Sequence, residues 1–273
     1  MRSAINYDIL SENRIRSALK TDSMAQNIHA FWSVGSTNEF ALRMAQLGDP
    51  EGTLVIAEKQ EHGRGRMLRS WDSPLAKGLW FSVILRPQLS SSQAGLLPYI
   101  AGVSVAEAVE AQLGLHPDLK WPNDLLVGGK KFCGILSEVE FENGKIKFIV
   151  LGIGVNVNHL AGDFSRQIRD GATSLRLAAE TRIDRADLLA AILSKLEQNY
   201  ERVKTEGFDD LLHRWKTRCS NFKKNVALKQ DQTTIEGTFV DIDHEGCLLL
   251  KTGSGETKKI SAGDVIFESG RGK

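Results

Sequence analysis

No charge of one sign dominates this chain of 273 residues. Its 35 Lys and Arg stand against 34 Asp and Glu, a formal net charge of +1. No overall field therefore draws it to nucleic acid or to an anionic membrane surface. Cysteine is scarce: Cys133, Cys219 and Cys247 are odd in number, far apart and without a CxxC pair. That excludes a disulfide framework and a zinc cage, and leaves buried free thiols in a reducing compartment. The six histidines contain no HxxxH or HExxH spacing, which excludes the common His-based metal sites. Apolar runs such as LWFSVIL are too short to span a bilayer. The N-terminal MRSAINYDILSENRIRSALK carries charges where a secretory signal would be apolar, so the expected location is cytoplasmic. Neither a GxxxxGK[ST] loop nor a GxGxxG turn opening a helix is present, which removes the two commonest nucleotide-phosphate signatures.

What is present reads as a large mixed unit followed by a small all-β one. Residues 1–28 suggest a short helix with a tail. In SVGSTNEFALRMAQLGDP, Ser36 and Glu39 have capping-box spacing, Phe40, Met44 and Leu47 recur at helical intervals, and Gly48 stops the helix. TLVIAEKQ and GLWFSVILRP read as buried strands on either side of a polar Gly-Arg loop from Glu61 to Lys77. SSSQAG is a polar connector, and the Ala/Val/Leu-rich stretch from Leu97 to Leu113 is a buried helix closed by Gly114. A short strand passes Trp121. FCGILSEVEFENGKIKFIVLGIGVNVN forms a hairpin, because Asn143-Gly144 suits a type I′ turn. Residues 185–219 are helical, with Leu188, Leu189, Ile192 and Leu196 on one face. Past Cys219 the segments VALK, IEGTFVDID, CLLLK and KKISAGDVIF are short strands, a pattern that suits a small barrel. The fold class is α+β.

Three stretches carry chemistry-bearing residues. QEHGRGRMLRSW places Arg64, Arg66 and Arg69 among Gly63 and Gly65: glycines admit close backbone approach, and guanidinium forks match carboxylate or phosphate oxygens. KWPNDLLVGGKK sets Lys120, Asp124 and Lys131 around a turn, where a lysine suits a phosphate oxygen and an aspartate can hold Mg²⁺. LGIGVNVN puts Gly152 and Gly154 inside an apolar strand that ends at Asn156, an arrangement that often marks close approach by a ligand or another backbone. Alone, each also has a plain structural explanation: a solvated basic loop, a hairpin with solvated lysines, a strand bulge.

In this order, however, GRGR, KWPND followed by Lys131-Phe132-Cys133-Gly134-Ile135, and GIGVNVN resemble the biotin protein ligase family, and STN at Ser36–Asn38 strengthens the likeness. The resemblance runs from about Phe31 to the C-terminus. It implies a catalytic domain related to class II aminoacyl-tRNA synthetases over residues 29–219, with residues 1–28 packed on it as an extension. An SH3-like barrel is implied over residues 220–273. The implied reaction joins biotin to ATP as biotinyl-adenylate, with Mg²⁺, and passes the biotin to one lysine of a biotin carboxyl carrier protein. On the same ground Lys131 and Arg66 are the catalytic candidates. Ser36, Thr37, Asn38, Gln60, Gly63, Arg64, Gly65, Arg66, Lys131 and Gly134 are implied on the biotin side. Arg64, Arg69, Trp71, Lys120, Asn123, Asp124, Lys131 and Asn156 are implied on the ATP side, with Asp124 facing the metal.

The chain departs from the family pattern in places. Met67-Leu68 stands where many members have Arg-Gly, and Val240 where some extend an arginine towards ATP, with Lys223 or Lys224 as substitutes to be considered. Only residues 1–35 precede the STN segment, a short stretch for the DNA-binding helix-turn-helix domain of the repressor members, so no DNA contact is expected. A homodimer through an exposed sheet edge is compatible with the sequence but not required by it. The competing readings are a lipoate–protein ligase or octanoyltransferase and a non-catalytic biotin-sensing module.

Overall fold

The structure is a computed structural model that describes residues 8–230 and 233–266. In chain order the elements are α1 (Glu12–Ala18), β1 (Ile28–Val34), α2 (Thr37–Leu47), β2 (Leu54–Gln60), β3 (Gly78–Leu85) and α3 (Leu97–Leu113). Next come β4 (Asp118–Lys120), β5 (Asp124–Val127), β6 (Lys130–Glu142), β7 (Lys145–Asn156), α4 (Leu175–Ala179), α5 (Arg185–Glu206) and α6 (Asp209–Thr217). The C-terminal part contributes β8 (Asn225–Gln230), β9 (Thr233–Ile242), β10 (Leu248–Lys251), β11 (Thr257–Ile260) and β12 (Asp264–Ile266).

Seven strands form one mixed sheet in the order β1-β2-β3-β7-β6-β5-β4, with β1 parallel to β2 and the rest antiparallel. Every residue of β3 is buried, since this strand lies mid-sheet with helices over both faces. On one face α2 covers β2, β3 and β7; on the other α3 lies against β6 and β7 and is itself backed by α5 and α6. The segment Ser91–Leu113 is long and apolar enough to cross a membrane by composition, but most of it is buried as the central core helix. Its C-cap Gly114 takes the left-handed conformation, as the sequence anticipates. Asn143 and Gly144 both have positive φ (52° and 74°), the backbone of the expected type I′ turn joining β6 to β7. Five further strands form an antiparallel sheet in the order β11-β10-β9-β8-β12. Its apolar residues Val226, Leu228, Phe239 and Leu248 belong to the same core cluster as α3 and α5. The expected C-terminal β unit is therefore present, apart from Phe267, which lies outside the described residues.

Three local expectations need correction. Ser36 is the N-cap of α2 but its hydroxyl makes no capping hydrogen bond, and Glu39 turns outward towards Arg64. The buried side of α2 is Thr37, Asn38, Ala41 and Ala45, with Phe40 and Met44 only partly covered and Leu47 exposed: small residues let the helix settle close to the sheet. The SSSQAG connector is a 3₁₀ helix over Ser91–Leu96, at whose start the Ser90 N–H and hydroxyl both donate to Gln93 Oε1. The large sheet begins at Ile28, and Leu10, Ile15 and Met24 on the segment before it pack in the main core.

Candidate active site

A cavity of about 380 Å³ opens on the face of the large sheet that α2 partly covers. Its floor is made by glycines. Gly134 on β6 and Gly154 on β7 are cross-strand partners, and Gly152 lies two residues further along β7. A Cβ on Gly152 would stand 2.0 Å from Asn38 Oδ1, and one on Gly154 would stand 2.6 Å from Trp71 Nε1. The glycines of LGIGVNVN thus admit two side chains flat against the sheet, and the strand carries no bulge there.

One end of the cavity is a closed set of polar groups. The Thr37 backbone N–H and hydroxyl both donate to Gln60 Oε1 at 2.9 and 3.1 Å, and Gln60 Nε2 donates to Ser73 Oγ at 2.9 Å. Asn38 Nδ2 donates to Glu138 Oε2 at 2.8 Å, and Ser82 Oγ lies 2.6 Å from Asn38 Oδ1. Ser36, Thr37 and Asn38 are nearly inaccessible because α2 begins directly over the sheet. Groups so held are fixed before a ligand arrives, and they offer both donors and acceptors to a small polar head group.

Cations gather at the other end. Lys131 Nζ lies 2.6 Å from Asp124 Oδ1 and 5.1 Å from the centre of the Trp71 ring. Asp124 is the cross-strand partner of Lys120 on β4 and of Gly134 on β6, which explains how two separated lysines meet one carboxylate. Arg66 donates to Asn123 Oδ1 at 3.3 Å. Asn123 itself is pinned to β6, donating from Nδ2 to the Ile135 carbonyl at 2.7 Å. Burial lowers the pKa of Arg66 and of Lys120 from their ordinary values, with Asp124 opposing the shift in both. A guanidinium stays charged regardless. These cations are partly stripped of water, which makes each more effective towards an anion than a surface charge.

The Gly-Arg segment folds back as a small hairpin over the cavity mouth. Trp71 N–H donates to the Gly63 carbonyl at 2.8 Å and Gly65 N–H to the Arg69 carbonyl at 2.7 Å. Arg64 reaches Glu138 at 3.1 Å and Glu39 at 3.7 Å. At the tip, Met67 and Leu68 both have positive φ, and Leu68 is 99% exposed. Two consecutive side-chain-bearing residues in the left-handed region carry strain that a glycine would not.

Every residue expected at the site lines this cavity except two. Gly63 faces an adjoining groove on the other side of the hairpin, where a Cβ would meet the Trp71 carbonyl at 2.2 Å. Lys120 stands behind Asp124 and couples electrostatically to it and to Lys131. Sequence reasoning misses one wall altogether, the segment leaving β7. His159, Phe164, Gln167, Ile168, Gly171 and Ala172 line the cavity, held in place where Lys131 N–H donates to the Gly171 carbonyl and Thr173 N–H to the Lys131 carbonyl. His159 stacks on Phe164 at 5.1 Å, and burial pulls its pKa down to about 4, so the ring is neutral near pH 7. Nothing in the composition of that loop signals a site. Also missed is Asp264 on β12, which pairs with Arg69 at 2.5 Å. The C-terminal sheet thus reaches the cavity with a carboxylate; Val240, Lys223 and Lys224 do not line it.

Three carboxylates, Asp72, Asp124 and Asp264, line the cavity; Asp124 and Asp264 each hold a cation of the chain itself. That donor set suits Mg²⁺ arriving on a polyphosphate, which supplies most of its oxygens, better than an ion held by protein alone.

A polar recess and a bank of half-buried cations thus share one glycine floor, an arrangement suited to a small ligand with a polar head and an anionic end. Residues 31–156 match the biotin/lipoate A/B protein ligase family, and residues 224–268 the biotin protein ligase C terminal domain. The bifunctional ligase/repressor BirA of Bacillus subtilis is 40% identical over 256 residues, covering 94% of this chain and 78% of that one. The biotin--[acetyl-CoA-carboxylase] ligase of Mycobacterium tuberculosis is 34% identical over 240 residues, covering 85% of each. The structure of biotin protein ligase from Aquifex aeolicus in complex with biotin and ATP superimposes with a TM-score of 0.75 at 30% identity, over 88% of this chain and 98% of that one. The chain belongs to the biotin protein ligase family.

Proposed function

We infer that this chain activates biotin with ATP, forms biotinyl-5′-AMP and transfers biotin to a lysine of a biotin carboxyl carrier protein. In the first step a carboxylate oxygen of biotin attacks the α-phosphorus, and the bond to the β-phosphate oxygen breaks so that pyrophosphate leaves with the electron pair. In the second step the carrier lysine, as the free amine, attacks the acyl carbon, AMP leaves, and the new amide loses one proton. Both nucleophiles come from substrates, so the protein's contribution is positioning and electrostatics.

One observation carries the reading: Lys131 and Arg66 line the same cavity as Thr37, Asn38 and Gln60. In this assignment the polar recess receives the ureido ring, while Lys131, with Arg64 and Arg66, meets the carboxylate and α-phosphate. Gly65 and Gly134 bring backbone close to biotin, and Gly63, which faces the adjoining groove, serves the turn of the hairpin. Arg69, Trp71, Lys120, Asn123 and Asn156 serve the nucleotide, and Asp124 faces the Mg²⁺ that ATP carries. Two anions must meet in the first step, and fixed positive groups aimed at that point lower the barrier without reorganising during reaction. Residues 29–219 form the catalytic domain, residues 220–273 the C-terminal domain, and residues 1–28 an extension packed on the former.

The polar recess favours biotin, whose ureido group can hydrogen-bond with the Thr37–Gln60 and Asn38–Glu138 network, over lipoate, whose dithiolane ring cannot. Biotin-dependent exchange of pyrophosphate into ATP, followed by labelling of an apo carrier domain, tests the reading. Exchange that needs lipoate instead, or no exchange with either acid, would sink it.

A further inference from the structure

We propose that the turn Asp243–Cys247 between β9 and β10 is a positioning element for the Lys120–Asp124 segment. It acts through the main-chain oxygen of Gly246, and the inference rests on the biotin-activating reading above. Tyr99 in α3 donates its hydroxyl to the Gly246 carbonyl at 2.7 Å, and Trp121 Nε1 donates to the same oxygen at 3.4 Å. Both side chains are fully buried. A carbonyl has two lone pairs, and here both are committed to groups of the catalytic domain.

The seam around this oxygen has no slack. Gly246 has φ +82°, and a Cβ on it would stand 2.7 Å from the Gly95 carbonyl oxygen. A Cβ on Gly95 would in turn stand 2.4 Å from the Glu245 carbonyl oxygen. The two backbones touch where any side chain would part them. The turn is also rigid within itself: Asp243 Oδ1 accepts from the N–H groups of Glu245 and Cys247, both at 2.9 Å. Lys259 neutralises Asp243 and Glu245 at 2.8 and 2.5 Å, so the cluster of Asp243, Glu245 and Cys247 serves the turn.

Trp121 lies between Lys120 and the Asn123–Asp124 pair, so whatever fixes its indole fixes the segment from which those three side chains project. The far end of the segment is anchored to the large sheet, where Asn123 and Ile135 exchange hydrogen bonds at 2.7 and 3.0 Å. The near end is anchored to the other sheet through Gly246. Beside the Asp264 carboxylate that lines the cavity, the C-terminal unit therefore acts on the Lys120–Asp124 end through Gly246 and makes no such contact with the Thr37–Gln60 end.

The test compares wild type with Tyr99→Phe, which keeps the ring and removes the shorter hydrogen bond, and with Gly246→Ala, which parts the seam. In biotin-dependent pyrophosphate exchange, losing one such bond should raise KM for ATP about three- to tenfold and leave KM for biotin within about twofold. Gly246→Ala should go further in the same direction. In parallel, amide hydrogen exchange at residues 120–125 should quicken in both variants while residues 37–47 keep their protection. Unchanged protection at 120–125 in Tyr99→Phe, or equal rises in both KM values, overturns the proposal. Wild-type protein without biotin-dependent exchange would refute the biotin-activating reading instead, and the hydrogen-exchange result would still decide the positioning role. Should Gly246→Ala fail to fold, Tyr99→Phe decides alone.

Discussion

Replacing Lys131 with Ala removes the charge that the site is built around. Its amine sits 2.6 Å from Asp124 and over the Trp71 ring, with the side chain 32% exposed. A unit charge about 4 Å from a phosphate oxygen, at an effective dielectric of about 20, is worth about 4 kcal/mol. That would be about a thousandfold in rate if none of it were present in the ground state. Partial exposure and the shared pairing with Asp124 reduce it, so the expected loss is about 10²–10³ in the rate of biotin-dependent pyrophosphate exchange. The substitution also leaves the Asp124 carboxylate facing two anionic substrates. Stability should change by less than about 1 kcal/mol, because the pair is only half-buried. Exchange by Lys131→Ala within about threefold of wild type, against the hundredfold expected of a lost transition-state donor, would refute the reasoning.

Other outcomes rest on the same geometry. Gly152→Ala drives a methyl into Asn38 and should raise KM for biotin, whereas Gly154→Ala drives one into Trp71 and should raise KM for ATP; steady-state exchange with each substrate varied separates them. Each should also destabilise by about 1–3 kcal/mol through overpacking. Burial of His159 near Asp163 and Lys77 depresses its pKa from 6.5 to about 4. The unfolded chain then takes up a proton that the folded chain refuses as pH falls through that window, and stability present above it is lost by up to about 1.4 kcal/mol per pH unit. Urea titrations at pH 7 and 5 should show a smaller loss in His159→Phe than in wild type, and equal losses would contradict the assignment. Glu58→Gln removes the carboxylate that holds the inaccessible Arg185 at 2.8 Å but leaves it Asp8 and the Gly78 carbonyl, and should cost about 1–3 kcal/mol in denaturant unfolding.

Much of this was legible from residues alone. Helix α3 begins and ends where its apolar run and Gly114 say, because helical period and a left-handed stop are local properties. The Asn143-Gly144 turn set the β6–β7 hairpin for the same reason. GRGR, KWPND and GIGVNVN were read as one site through their resemblance to the biotin protein ligase family, since local pattern alone left each with a plain structural explanation. Strand pairing decided the rest. Only the register that sets Asp124 opposite both Lys120 and Gly134 brings the cations together. Only the sheet explains why Gly152 and Gly154 are bare: Asn38 and Trp71 arrive from other elements to cover them. The wall at His159–Ala172, the Asp264–Arg69 pair and the carbonyl of Gly246 left no mark in the sequence, because a partner distant along the chain imposes no period and no spacing on either segment. Composition and local pattern determined which elements form and which side chains can do chemistry; the tertiary fold decided which of them face one another.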